Sequence, residues 1–198
     1  MLSTANGDIL HMMSRSENSN RKTPELIATD VFGNKVNLLN SNSRYTLLVF
    51  LRYSGCPWCN LAIHRLTLEY LRLKAESCEI VAIVQSDKDG VMENIYSRHQ
   101  PKPQFSIIAD SAMKHYKQFD VNPSVVGTLS SISKLPYWLQ SVKQLGFKQR
   151  RLDGNFFLVP EWFLINNTNS EIIMSEKGVS FYNDESFTQI YESIIFKD

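Results

Sequence analysis

Apolar positions along this chain follow two rhythms, and their alternation predicts the fold. YTLLVFLRY (45–53) is a near-continuous apolar run of the kind buried on both faces of a sheet. From Pro57 to about Ala75 the spacing turns helical, with Cys59, Ala62, Ile63, Leu66, Tyr70 and Leu73 on one stripe. CEIVAIVQSD (78–87) reads as a second buried strand, and KDGVMENIYSRHQ (88–100) as a helix that stops before Pro101. FSIIAD (105–110) is a short strand, followed by a helix in SAMKHYKQFDV (111–121) that carries apolar Met113, Tyr116 and Phe119. Strands separated by helices predict a mostly parallel, three-layer α/β sheet.

The flanks differ. Residues 1–24, rich in Ser and Asn, read as a flexible N-terminal tail ahead of one domain over 25–198. LIATDVFGNKVNLLN (26–40) reads as a hairpin turning at Gly33-Asn34. Over about 122–155 the strand pattern breaks, while Leu135, Trp138, Leu139, Val142 and Leu145 recur at helical spacing. This predicts a helical insertion between two halves of the sheet, with the stripe around Tyr137 and Trp138 packed on the sheet. Strands return in NFFLVPEWFLINNTNSEIIMSEKG (155–178), turning at Asn167-Thr168-Asn169, and an amphipathic helix with Phe187, Ile190, Tyr191 and Ile194 closes the chain.

Composition narrows the function classes. The chain has 198 residues, 43% hydrophobic, with 21 basic against 20 acidic side chains. A net charge of +1 supplies no field for a polyanion, so nucleic-acid binding is disfavoured. No segment approaches the roughly 18 consecutive apolar residues of a membrane span, and the N-terminus lacks the pattern of a secretory signal. The expected setting is a reducing cytoplasm, where a Cys-x-x-Cys tends to be catalytic, redox-sensing or metal-binding.

Two of the three cysteines, Cys56 and Cys59, sit in SGCPWCN, where the buried strand hands over to the helix. Cys56 then falls at a helix N-terminus, whose free N–H groups and dipole stabilise a thiolate. Pro57 suits the first helical turn because its missing N–H is not needed there. The spacing lets Cys59 reach Cys56 and resolve a mixed disulfide, and Arg52 adds positive potential. Zinc would need two further ligands, and neither a second Cys-x-x-Cys nor a His-x₃₋₅-His is present. Redox chemistry is the favoured reading; zinc binding and two inert core thiols are the alternatives. Cys78 reads as a small core hydrophobe, His64 as an exposed or half-packed side chain, and Trp58 as a part-exposed ring available to a partner.

These features resemble the thioredoxin superfamily, and the whole layout most resembles the peroxiredoxin-like branch of the AhpC/TSA families. The resemblance is carried by DVFGNKVNL, VFLRYSGCPWC, FSIIADSAMKHYKQFDV and VPEWFLINNTNSEII, and runs from about residue 24 to the C-terminus. It implies a thioredoxin-like α/β/α sandwich with an N-terminal hairpin and a helical insertion before the strand that follows a cis-proline. Cys56 would be the attacking thiolate and Cys59 the resolving thiol. Pro160 would be the cis-proline facing the pair, with Val159 offering backbone hydrogen bonds to a thiol partner, and no cofactor or metal is implied. The substrate would be a peroxide or a disulfide, the reductant thioredoxin or glutathione. Family peroxidases carry Pro-x₃-Thr-x₂-Cys; here Val49 and Tyr53 occupy those positions, so the peroxide-orienting hydroxyl is missing from its usual place. Arg150 or Arg151 is the candidate for a peroxide-pocket arginine. A non-enzymatic thioredoxin-fold scaffold is the rival class.

Overall fold

In the computed structural model, residues 21–38, 41–130, 135–178, 181 and 183–195 are described. The central element is β4 (Tyr45–Leu51), with all seven residues buried. It pairs in parallel with β5 (Cys78–Val84), which pairs in parallel with β6 (Ser106–Ala109). On its other side β4 meets β7 (Glu161–Asn166), and β7 meets β8 (Glu171–Lys177), both antiparallel. A two-residue edge strand, β1 (Arg21–Lys22), completes the six-stranded order β1-β8-β7-β4-β5-β6.

The expectation of a mostly parallel sheet is therefore corrected to a mixed one. The cause lies after the insertion, where the chain re-enters beside β4 from the opposite end. β1 also takes part of the segment read as a tail, fixed by a hydrogen bond from the Thr23 N–H to the Ser170 carbonyl at 2.9 Å. The remaining tail, residues 1–20, lies outside the described residues. The predicted hairpin forms as a separate antiparallel pair, β2 (Ile27–Thr29) and β3 (Lys35–Asn37). Asp30 accepts from the Phe32 and Asn34 N–H groups, each at 2.9 Å, and closes the turn, where Gly33 takes φ 93°.

Alternate residues of β4 serve two cores. Leu47, Val49 and Leu51 face α1 (Pro57–Ala75), which runs over the predicted residues, and α6 (Glu185–Ile195), through Ala62, Ile63, Leu66, Phe187 and Ile190. Leu48 and Phe50 face the opposite side, packed with Leu26, Val36, Tyr116, Phe119 and Phe163. On that side Phe50 meets Tyr116 and Phe163 edge-on, with ring centroids 5.1 and 5.8 Å apart. The three-layer prediction holds. Its second outer layer is thin, made of the hairpin and the short α3 (Lys114–Gln118), which begins only after Met113, whose φ of 57° is left-handed.

After β5, α2 (Lys88–Val91) runs into a wider π-type turn through Met92–Tyr96. The insertion contains α4 (Val125–Ser130) and α5 (Leu135–Leu139), the latter continuing into a π-type turn over Gln140–Gln144; residues 145–160 then run without regular helix or strand. The expected packing of its apolar stripe on the sheet is corrected. Leu135 and Leu139 are exposed, and contact is made instead to the start of α1, through Trp138 against Trp58 and a Ser141 Oγ donation to the Pro57 carbonyl at 2.6 Å.

Candidate active site

The turn between β4 and α1 is built to present Cys56. Its N–H donates to the Tyr53 carbonyl at 3.1 Å, and its own carbonyl accepts the first helical hydrogen bond from Asn60 N–H at 3.0 Å. Cys56 is thus the N-cap of α1 with Pro57 as the first helical residue, as the sequence predicts. Cys56 and Cys59 are both free thiols and both buried, at 0% and 1% exposure.

The two thiols are driven apart electrostatically. Burial alone raises both. For Cys56 that effect is outweighed by the Cys59 thiol, the Arg52 guanidinium and the N–H groups of Cys59 and Trp58, which lower it to about 6. For Cys59, burial and the neighbouring Cys56 charge push it well above the ordinary thiol range. One sulfur is a thiolate near neutrality and the other a proton donor to it, which is the asymmetry that nucleophile and resolver require.

Arg52 is only 3% exposed, and its guanidinium lies 5.1 Å from the Trp58 ring centroid and 5.7 Å from that of Phe156. Trp58 is half-buried, as predicted. Tyr53 is fully buried and its hydroxyl donates to Gln149 Oε1 at 3.2 Å. Ser54 is tied in from three sides: its N–H donates to Ser86 Oγ, its Oγ to Asp153 Oδ2, and Asn94 Nδ2 donates to its Oγ.

The irregular last part of the insertion covers this turn. Arg150 N–H donates to the Gly55 carbonyl at 3.1 Å, and a Cβ on Gly55 would stand 2.8 Å from Arg150 Cβ and 2.9 Å from the Arg151 carbonyl oxygen. Only glycine permits that approach. The side chains of Arg150 and Arg151 are exposed and line a cavity of about 510 Å³ with Asp87, Asp89, Glu93, Asn94 and Asp153. The arginine acting electrostatically on the thiols is Arg52.

Pro160 departs from the prediction. The Val159–Pro160 bond is trans; Gln100–Pro101 is cis. Leu158 bridges Pro123 and the Pro160 carbonyl accepts from Gly178 N–H at 2.7 Å, so the chain enters β7 already extended, and a proline at that first position leaves no N–H wanting a partner. Val159 is buried beside Gly178. His64 is half-buried, with its pKa lowered by burial and by Arg65. Cys78 is a buried thiol pushed up to about 12, as befits a core residue. Among the described residues, no group of three or more His, Cys, Asp or Glu side chains could hold a metal ion, and no helix is long and apolar enough to cross a membrane.

The sequence model of the AhpC/TSA family matches residues 20–146, most of the chain and all of the strand–cysteine–helix unit. The chain belongs to the AhpC/TSA family. As a member, it is a peroxiredoxin-like, thiol-dependent oxidoreductase. No curated protein matches it. Solved structures share its thioredoxin-like α/β fold. Peroxidoxin BcpB from Mycobacterium tuberculosis matches with a TM-score of 0.64 at 10% identity, over 91% of this chain and 98% of that one. Peroxiredoxin Q from Xanthomonas campestris matches at 0.62 and 11%, over 87% and 92%. A protein described as the thiol:disulfide interchange protein DsbE from Chlorobium tepidum matches at 0.60 and 16%, over 90% and 99%.

Two residues at the heart of this site escaped the sequence reading. Asn60 Nδ2 donates to the carbonyls of Ser54 (2.7 Å) and Cys56 (3.0 Å), and Asn60 Oδ1 lies 2.9 Å from His99 Nε2. The only sequence signal was a polar residue one turn after Cys56, next to an apolar stripe; His99 gave none.

Proposed function

We propose that this protein reduces small hydroperoxides through the Cys56–Cys59 pair. The observation that supports it most is the lowered thiol of the buried Cys56, with the Arg52 charge acting on it and a protonated Cys59 against it. A Cys56 that is 0% exposed suits a small substrate better than a folded protein disulfide. The Cys56 thiolate attacks the distal oxygen, the O–O bond breaks, and the departing alkoxide takes a proton, leaving Cys56 sulfenic acid. The Cys59 sulfur then displaces hydroxide from it, forming the Cys56–Cys59 disulfide and water. An external thiol such as thioredoxin or glutathione returns both cysteines to thiols; a yeast mitochondrial 1-Cys peroxiredoxin of like fold (TM-score 0.65, 12% identity) is described as resolved via glutathione/thioredoxin systems.

Half-buried Trp58 belongs to the proposed docking surface for that reductant, with Arg52 binding the substrate oxygen; buried Val159 and Pro160 are left out of it. Three free cysteines fit a reducing cytoplasm, and residues 25–198 fit one thioredoxin-like domain interrupted at 122–155. Dithiol–disulfide exchange is a second reading, favoured by Tyr53: its hydroxyl is spent on Gln149, where a family peroxidase has its threonine. Turnover of hydrogen peroxide against turnover of a small disulfide, in wild type and Cys56→Ser, tests the choice. Peroxide turnover lost in the variant supports the first reading, disulfide turnover alone the second.

A further inference from the structure

Asn60 occupies the fourth helical position of α1, one residue beyond Cys59, with no exposed surface. A buried carboxamide needs its donors and acceptor satisfied, and this one satisfies all of them locally. Nδ2 faces two carbonyl oxygens, which accept only, so it must be the nitrogen, and Oδ1 is left facing His99. His99 Nε2 therefore carries the proton and donates to Oδ1. The two carbonyls that Nδ2 holds, those of Ser54 and Cys56, lie on either side of Gly55 and fix the peptide planes through which β4 turns into α1.

His99 is itself held. It has no exposed surface, and its ring is stacked on Phe147 of the irregular last part of the insertion, with centroids 4.4 Å apart and planes at 20°. Its own N–H closes the preceding turn on the Ile95 carbonyl at 3.1 Å. The charged or titratable groups that act on it are His64 and Arg98; those acting on Cys56 are Cys59 and Arg52. A line of contacts thus runs from the last part of the insertion, through His99 and Asn60, to the carbonyl of the nucleophile.

We infer that Asn60, with His99 behind it, is a positioning residue: it clamps the Ser54–Cys56 turn so that the Cys56 sulfur stays against the N–H groups of Trp58 and Cys59. The clamp is the physical means by which the covering segment, through Phe147, holds the reactive turn in place. It rests on Cys56 being the reactive thiol, as proposed above, and not on which substrate that thiol attacks.

The test follows Cys56 itself, by iodoacetamide labelling against pH with the modified residue identified by mass spectrometry, in the full-length reduced protein. Asn60→Ala should move the labelling midpoint up by about one pH unit, which makes Cys56 about tenfold less reactive at pH 5. His99→Leu, which leaves Asn60 Oδ1 without its donor, should move it in the same direction. His99→Gln, whose amide can donate in place of Nε2–H, should restore most of the wild-type profile. A clamp that served stability alone would lower the melting temperature and leave the labelling midpoint in place, and that result overturns the inference. Should Asn60→Ala fail to fold, the two His99 variants decide: identical midpoints in Leu, Gln and wild type also overturn it. If wild type labels as expected yet neither peroxide nor a disulfide oxidises it, the proposed reaction fails and the clamp stands.

Discussion

The Arg52 guanidinium lies 5.1 Å from the ring centroid of Trp58, the second of the two residues between the cysteines. That stack holds a buried positive charge against the reactive turn. Arg52→Gln removes the charge and keeps a polar side chain of similar reach. Its expected effect is a higher Cys56 thiol pKa, seen as a delayed rise of thiolate absorbance near 240 nm as pH increases. An unchanged titration would take Arg52 out of the site.

Cys59 acts on Cys56 as a hydrogen-bond donor before it acts as a resolver. Cys59→Ala, which has no donor, should raise the Cys56 pKa more than Cys59→Ser, whose hydroxyl can still donate. Both variants lose the internal resolving thiol, so both should accumulate mixed disulfides with added glutathione disulfide. Failure of either to do so in intact-mass measurements would contradict the resolving role.

Reactivity toward an alkylating agent should climb as pH rises through about 6 and level off above it, because the thiolate is the reacting form. Cys78, buried and pushed up to about 12, should stay unlabelled throughout that range in the folded protein.

Acid stability should carry the mark of His99. Burial, with His64 and Arg98 adding to it, lowers its pKa to about 3 in the folded protein, against 6.5 for an ordinary histidine. Between these values the unfolded chain binds a proton that the folded chain does not. The His99 contribution is therefore complete above about pH 6.5 and is lost progressively toward pH 3, with a limiting slope of about 1.4 kcal/mol per pH unit. His99→Gln should flatten the pH dependence of urea unfolding in that window and leave it unchanged above pH 7.

The close approach at Gly55 should be intolerant of a methyl group. Gly55→Ala sets a Cβ against Arg150 Cβ and the Arg151 carbonyl, and overpacking of that kind costs about 1–3 kcal/mol. The cheapest relief is to lift the covering segment, so the variant should label faster at Cys56 than wild type at pH 7. Equal labelling with equal stability would mean that the segment does not cover the thiol.

The parts of this fold legible in sequence are those written in local periodicity. β4 and α1 meet where the apolar run changes to a 3.6-residue stripe, and Cys56 falls at that junction because the same residues encode both elements. Strand direction is not written locally, so the antiparallel placement of β7 beside β4 was missed. Pro160 shows that a family pattern of residues does not by itself fix a peptide isomer: the bond before it is trans. Asn60 and His99 lie 39 residues apart and Phe147 a further 48 along the chain, so their convergence depends on how α1, the π-type turn and the covering segment pack. No spacing rule reaches that far.

The central claim is that Cys56 is the reactive thiolate and Cys59 its resolving partner. Stopped-flow tryptophan fluorescence of the fully reduced protein mixed with hydrogen peroxide tests it most directly, because Trp58 sits between the two cysteines. The account predicts a fast change whose rate grows with peroxide concentration, which disappears in Cys56→Ser and loses its disulfide-forming phase in Cys59→Ser. A response that persists in Cys56→Ser, or the absence of any response to peroxide and to a small disulfide alike, would contradict it.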